Sequence, residues 1–153
     1  MPTHVDLLLD RCGRFGGHGI DHEDQPLYGE LDLQPLPGRQ GAWLSFRATG
    51  IDGTVLHDER SWVAPDADGE LCLWSVNTLA AGVMRHPVRR GVPPAGAHSV
   101  LVFGSGDPTD AQVHRVEIAV DLWPDGAVGY RTAWGLPGGP FLPRSQVRME
   151  REP

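Results

Sequence analysis

Hydrophobic and polar residues alternate along most of this chain, in short segments separated by turn residues. Between Leu27 and Leu33 every second residue is leucine or glycine, and the residues between them are tyrosine, glutamate and aspartate. Between Val116 and Leu122 every second residue is a large aliphatic one. Because side chains point alternately to the two faces of a strand, this period of two predicts β-strands with one buried face.

Turn chemistry divides the chain into ten such segments. Asp-Gly pairs at Asp52-Gly53, Asp68-Gly69 and Asp125-Gly126 supply the positive φ that tight hairpins need. The 20 glycines and 14 prolines disfavour long helices, and only Val5–Arg11 is predicted to form a helical turn or two. The predicted strands are approximately Arg14–Asp21, Leu27–Leu36, Ala42–Thr49, Val55–Val63, Leu71–Val76, Gly82–Arg90, Ser99–Gly104, His114–Leu122, Ala127–Ala133 and Ser145–Glu150.

Ten short strands joined by tight turns, without a crossover helix, predict a sandwich or a closed barrel. Closure leaves no unpaired strand edge. We therefore predict an all-β fold: a single antiparallel up-and-down β-barrel domain over residues 1–153.

Charge and composition exclude several classes of function. The net charge is −7, which argues against a nucleic-acid partner because phosphates require a basic surface. No apolar run approaches the roughly 20 residues that span a bilayer, and no signal peptide is evident, so we predict a cytoplasmic monomer or homodimer with no membrane partner. All 13 basic residues other than histidine are arginine, which excludes chemistry that requires a lysine Schiff base or a P-loop lysine. The two cysteines, Cys12 and Cys72, are expected to be free thiols.

Three stretches together resemble the nitrobindin-like branch of the calycin barrels, which also include the fatty-acid-binding proteins. Gly13–Gly19 is similar to the opening G-x-W-x-G-x-G of that family, with Phe15 in place of tryptophan. Leu56–Trp62 is similar to the family's L-H-x-E-x-x-x-W strand, with tryptophan one position early. Gly135–Pro140 keeps the family's G-x-P-x-x-P.

This resemblance implies a barrel cavity that holds haem b, an axial histidine on the last strand, and activity linked to nitric oxide and peroxynitrite. It also implies that Phe15 plugs the barrel floor. The position of the axial histidine falls on Arg144, after Pro143. Arginine carries no free lone pair and cannot coordinate iron. We therefore expect no haem, and expect Arg144 either to form a salt bridge with a neighbouring strand or to hold an anionic group.

Other candidate residues come from the strands themselves. His57 and Glu59 share one strand face, and could form a structural pair or transfer a proton inside a cavity. Trp62 and Trp74 could belong to the core or line a cavity for a flat ligand. His18 and His22 lie too far apart on a strand to share one metal ion, so no metal site is predicted. Recognised motifs of hydrolases, metalloproteases and phosphate-binding loops are absent.

The sequence thus predicts binding of a small, mostly apolar ligand in the barrel, with an acidic group as an option. The predicted ligand-binding residues are Arg144, Trp62, Trp74, His57 and Phe15. Three alternatives stay open: haem binding through another residue, a small cavity enzyme that uses His57 and Glu59, and an interaction module with a filled barrel.

Overall fold

The ten strands form a closed antiparallel barrel in the computed structural model, which describes residues 1–153. Each strand pairs with its neighbours in the sequence, and the first strand closes the barrel against the last. The predicted fold is therefore confirmed. The elements are α1 (His4–Leu9), β1 (Gly13–Asp21), β2 (Pro26–Pro35), a 3₁₀ turn (Pro37–Arg39), β3 (Ala42–Gly50), β4 (Val55–Pro65), β5 (Leu71–Asn77), β6 (Ala80–Arg89), β7 (Ser99–Ser105), β8 (Arg115–Leu122), β9 (Val128–Gly135) and β10 (Leu142–Arg151).

Most strand boundaries agree with the prediction to within two residues. The largest difference is at β10, which begins at Leu142, three residues before the predicted start. A β-bulge lies between Pro143 and Ser145 on this strand. The sequence pattern missed this part of β10 because a bulge interrupts the alternation of faces.

The short helix α1 begins with a capping box. The Thr3 hydroxyl accepts a hydrogen bond from the Asp6 amide, and the Asp6 carboxylate accepts one from the Thr3 amide in return. The helix ends at Leu9, two residues before the predicted end. It is too short to span a membrane, and the chain has no other α-helix.

Glycines on β1 allow the barrel to close. A Cβ atom at Gly17 would lie 2.2 Å from the carbonyl oxygen of Arg148, and one at Gly19 would lie 2.2 Å from that of Gln146. Any side chain at these two positions would push β10 away. The glycine spacing of β1 therefore permits the close approach of the first and last strands.

The end of the barrel that α1 covers is filled. Leu8 of α1 and Phe15 of β1 are both buried and belong to one apolar cluster of 20 residues. Phe15 is 1% exposed, as expected of a side chain that plugs the floor. The space left inside the barrel lies toward the opposite end.

The wall of the barrel is least paired between β6 and β7. Only Val88 and Arg89 of β6 have register partners on β7, whereas seven residue pairs join β7 to β8. The first half of β6 thus lacks a backbone partner on that side. This half contributes to the site described next.

Candidate ligand-binding cavity

A cavity of about 200 Å³ lies inside the barrel at the end opposite α1. It is formed by the beginning of β4, the hairpin between β5 and β6, the start of β8 and the end of β9. Seven of its twelve lining residues are hydrophobic. The lining residues are His57, Glu59, Asn77, Leu79, Ala80, Met84, His114, Val116, Ile118, Thr132, Trp134 and Leu136.

A buried carboxylate stands in the wall of this cavity. Glu59 is 2% exposed. Its Oε1 accepts hydrogen bonds from the Tyr130 hydroxyl and from the Ser61 hydroxyl, the latter at 2.9 Å. Its Oε2 lies 3.0 Å from Nε2 of His57. All three protein groups that contact this carboxylate therefore act as hydrogen-bond donors.

Burial and hydrogen bonding act on the Glu59 pKa in opposite directions. Burial by itself would raise the pKa, but the hydrogen bonds from His57, Tyr130 and Ser61 outweigh it, so the pKa lies below its ordinary value. Burial and the adjacent carboxylate raise the pKa of Tyr130 well above its ordinary value. At neutral pH Glu59 is therefore a carboxylate and Tyr130 is a neutral phenol.

These states fix the orientation of the His57 ring. Nε2 must carry the hydrogen that it donates to the ionised Glu59. Nδ1 makes no hydrogen bond within the protein. Because every buried side-chain nitrogen and oxygen has a hydrogen-bond partner, Nδ1 is accessible. His57 therefore presents a free ring nitrogen at the cavity wall.

The alternation of β4 produces this arrangement. His57, Glu59, Ser61 and Val63 all face the interior. Tyr130 reaches Glu59 from β9, and its ring stacks on Phe46 of β3 at 4.2 Å between centroids. The predicted sharing of one face by His57 and Glu59 agrees with the structure.

A second polar group lies deeper in the wall, on β6. His86 is fully buried, with Nδ1 at 2.9 Å from the Ser105 hydroxyl and Nε2 at 3.5 Å from the Ser75 hydroxyl. Burial lowers its pKa, so the ring is neutral at pH 7. It links β6 to β7 where the backbone pairing has ended. The sequence analysis did not select His86, because its two hydroxyl partners lie on the neighbouring strands β5 and β7.

His114 and Trp134 are two further cavity residues that sequence reasoning did not select. His114 precedes β8, and Trp134 lies near the end of β9. Trp134 shares the inward-facing positions of β9 with Tyr130 and Thr132. The same alternation that defines these positions in the sequence could have identified it.

Arg144 occupies the bulge of β10 and does not line the cavity. Its guanidinium lies 3.9 Å from the centre of the Trp134 ring, and its Nε donates to the Trp134 carbonyl oxygen at 3.1 Å. It takes part in no salt bridge. The predicted salt bridge of Arg144 is therefore wrong: an aromatic face takes the place of the carboxylate.

Trp62 and Trp74 face the outside of the barrel and pair across β4 and β5. Trp62 is 51% exposed, and Arg85 lies over the Trp74 ring at 5.7 Å. The prediction that these two tryptophans line the interior is wrong. They occupy the positions of β4 and β5 that alternate with the inward-facing ones, so they cannot share a cavity with His57 and Glu59. Phe15 also lies outside the cavity lining, within the filled end of the barrel.

One group of potential metal ligands exists, outside the cavity lining. Asp66, Glu70 and Cys72 place ligand atoms within 4.8 Å of one another. Arg85 donates to both carboxylates, at 2.7 Å and 2.9 Å, and burial raises the pKa of the Cys72 thiol. The guanidinium already satisfies these two acids, so the group has the character of an ion-pair network.

The haem that the family resemblance implies does not fit these residues. Arg144 stands at the implied ligand position and stacks on Trp134. Nε2 of His57 is engaged with Glu59. The cavity of about 200 Å³ is comparable in size to an apolar cavity of about 150 Å³ that holds benzene. Haem consists of four linked rings and is therefore too large for it.

Comparison with known proteins supports the fold. No protein-family model and no curated protein matches the chain. Among solved structures, the chain is similar to the crystal structure of Rv2717c from M. tuberculosis, with a TM-score of 0.66 and 13% sequence identity, over 100% of both chains. At this identity the likeness concerns the fold alone.

Proposed function

We propose that this protein binds a small, mostly apolar molecule, about the size of one substituted ring, in the cavity beside Glu59. The observation that carries the proposal is the cavity itself: an apolar wall with a few polar groups at fixed positions, inside a closed barrel. This combination is typical of ligand pockets. Pockets for drug-sized ligands span roughly 300–1,000 Å³, so a cavity of about 200 Å³ suits a smaller molecule.

The polar groups of the site support binding rather than a filled interior. A barrel that served only as an interaction module would have no need for an accessible imidazole nitrogen next to a buried ion. Here Glu59 holds the His57 ring in one orientation, which gives the cavity a fixed polar contact. Fixed contacts of this kind reduce the entropy that a bound ligand loses.

Toluene is a suitable first probe, because it matches the size and apolar character of the cavity. Calorimetric titration should show saturable binding to the wild type. Val116→Trp should abolish this binding by filling the cavity, since Val116 lines it. Val83→Trp is the matched control, because Val83 is 64% exposed and is not a lining residue. The proposal fails if toluene does not bind, or if both variants bind it like the wild type.

A second candidate function is proton abstraction, favoured by the contact between His57 and Glu59. An imidazole that donates one hydrogen to a carboxylate and exposes its other nitrogen has the geometry of an oriented general base. The ring opening of 5-nitrobenzisoxazole tests this directly. In that reaction a base takes the proton on C3, its electron pair forms the C≡N bond, and the N–O bond breaks to give a cyanophenolate. Acceleration that is lost in His57→Phe would support the enzyme; a rate equal to that of buffer would exclude it for this substrate.

A further inference from the structure

The hydrogen-bond acceptors around the cavity differ in whether the protein already uses them. Asn77 Oδ1 accepts from the amides of Leu79 and Ala80, at 2.9 Å and 3.1 Å, and so holds the hairpin between β5 and β6. The Thr132 hydroxyl shares a hydrogen bond with Ser145 at 2.8 Å. Both oxygens of Glu59 are engaged. Among the side chains of the lining, only the imidazoles of His57 and His114 have unused acceptor nitrogens.

The two imidazoles are not equivalent. His114 makes no hydrogen bond that would fix which of its nitrogens carries the hydrogen. His57 is fixed, because Nε2 donates to a carboxylate. In the neutral ring the second nitrogen, Nδ1, is then an acceptor. The cavity thus contains one acceptor of defined direction.

The charge around the cavity disfavours an anionic ligand. None of the twelve lining residues is an arginine, and Arg144 faces the Trp134 ring outside the lining. Glu59 already places a buried negative charge in the wall. A second carboxylate would lose its hydration and gain no fixed cation in return.

We infer that the cavity selects a neutral single-ring molecule carrying a hydroxyl or N–H donor, of the phenol class, and that this donor is accepted by Nδ1 of His57. The inference rests on the proposed function, since it assigns a ligand class to the same cavity. The apolar wall contacts the ring, and the imidazole distinguishes the donor from a methyl group. Glu59 is a positioning residue that acts through His57 and need not touch the ligand.

Phenol, toluene and benzoate are matched probes, because each is one ring with a single small substituent. The measurement is the dissociation constant of each by calorimetry at pH ~8, where phenol keeps its hydrogen because phenolic hydroxyls ionise near pH ~10. The informative quantity is the ratio of the phenol and toluene constants in the wild type, divided by the same ratio in His57→Phe. One net hydrogen bond corresponds to about a three- to tenfold preference for phenol in the wild type that the variant lacks. Benzoate should bind more weakly than phenol.

Glu59→Gln tests the fixed ring orientation. The amide oxygen can still accept from Tyr130 and Ser61, while the amide nitrogen can donate to Nε2 of His57. Nε2 then becomes the acceptor, and Nδ1 carries the hydrogen and becomes a donor. Phenol should lose its preference over toluene, and benzaldehyde, which offers only an acceptor, should gain affinity. A residue with a purely structural role would weaken all probes alike, so the reversal is specific to the inference.

The outcomes separate the two proposals. If toluene and phenol both fail to bind, the proposed function and this inference fall together. If toluene binds but the phenol preference is absent, or is retained in His57→Phe, the cavity is a binding site and the inference is wrong. Tighter binding of benzoate or benzaldehyde than of phenol to the wild type would likewise overturn it, because His57 or the amide of Asn77 would then be acting as a donor.

Discussion

His57 donates to the buried carboxylate of Glu59 at 3.0 Å, from a position two residues away on the same strand face. Residues at i and i+2 of a strand lie about 6.6 Å apart along it, so two long side chains can meet without disturbing the backbone. The contact joins His57 and Glu59, the two residues of the sequence H-x-E, into one hydrogen-bonded polar unit at the cavity wall. Tyr130 completes the unit from the other side of the barrel.

Removing the Tyr130 hydroxyl should destabilise the protein. In Tyr130→Phe the buried Glu59 carboxylate loses one of its three donors. A hydrogen bond to a charged group is worth about 1.5–3 kcal/mol, and the free energy of unfolding, measured by urea denaturation, should fall by about that amount.

Tyr28→Phe is the matched control for this prediction. Tyr28 is 37% exposed and its hydroxyl makes no hydrogen bond, so the change in stability should stay within about 0.5 kcal/mol. Equal effects of the two substitutions would show that the buried hydrogen bond of Tyr130 contributes no more to stability than an unbonded surface hydroxyl.

Stability should fall as the pH decreases from about 7 to about 5, because His86 is buried in its neutral form. Its folded-state pKa lies below the ordinary value near 6.5, so the unfolded chain binds the proton more readily at this site. Where the unfolded state binds more protons, the free energy of unfolding rises with pH. The His86 contribution is therefore complete above the unfolded pKa and is lost progressively below it.

The measurement is the midpoint of urea unfolding at several pH values. In His86→Gln the dependence between about pH 7 and pH 5 should be smaller than in the wild type. His22→Gln is the control, since His22 lies in the turn after β1, and it should keep the wild-type slope. The contribution of Glu59 to the free energy of unfolding changes at lower pH than that of His86. The pKa of Glu59 is depressed, so its stabilisation is lost only below about pH 4.3. Unchanged slopes in both variants would show that His86 is not the group that titrates.

The fold could be predicted from the sequence because the signals for it are local. Alternation along each strand and positive-φ glycines at Gly53, Gly69 and Gly126 each depend on a few neighbouring residues. Closure was predicted because it leaves no strand edge unpaired. The bulge at Arg144 could not be predicted in this way, because it depends on how β10 meets β9.

The site was predictable only in part, for the same reason. His57 and Glu59 lie on one strand, so their shared face was visible in the sequence. Tyr130, His114 and Trp134 come from distant parts of the chain, and only the barrel brings them to the cavity. The prediction that Trp62 lines the cavity conflicts with strand alternation. Trp62 follows His57 by an odd number of residues on β4, so the two side chains face opposite sides of the strand.

We predict that the protein binds no haem, because the geometry that favours a small ligand does not fit haem, and the absorption spectrum tests this prediction. Purified protein mixed with haemin should show no sharp Soret band at one equivalent, because Arg144 offers no lone pair and the cavity measures about 200 Å³. Arg144→His restores a nitrogen ligand at the position that the family resemblance assigns to the axial histidine. A Soret band that appears in this variant alone would support that alignment, whereas a band in the wild type would contradict the prediction and direct attention to His57 and His114.

Arg144 should influence the cavity through Trp134 rather than by binding the ligand. Its guanidinium covers one face of the Trp134 ring, and the ring is part of the cavity wall. Cation–π contacts are worth about 0.5–2 kcal/mol, so Arg144→Ala should loosen the ring and weaken toluene binding by a few-fold. Because the arginine does not line the cavity, benzoate and toluene should lose affinity by the same factor.

Arg90→Ala is the control, since Arg90 forms neither a salt bridge nor a stacking contact, and it should bind both probes like the wild type. A loss for benzoate about ten times larger than for toluene would instead identify Arg144 as an anion-binding residue and restore the acidic ligand that the sequence predicted.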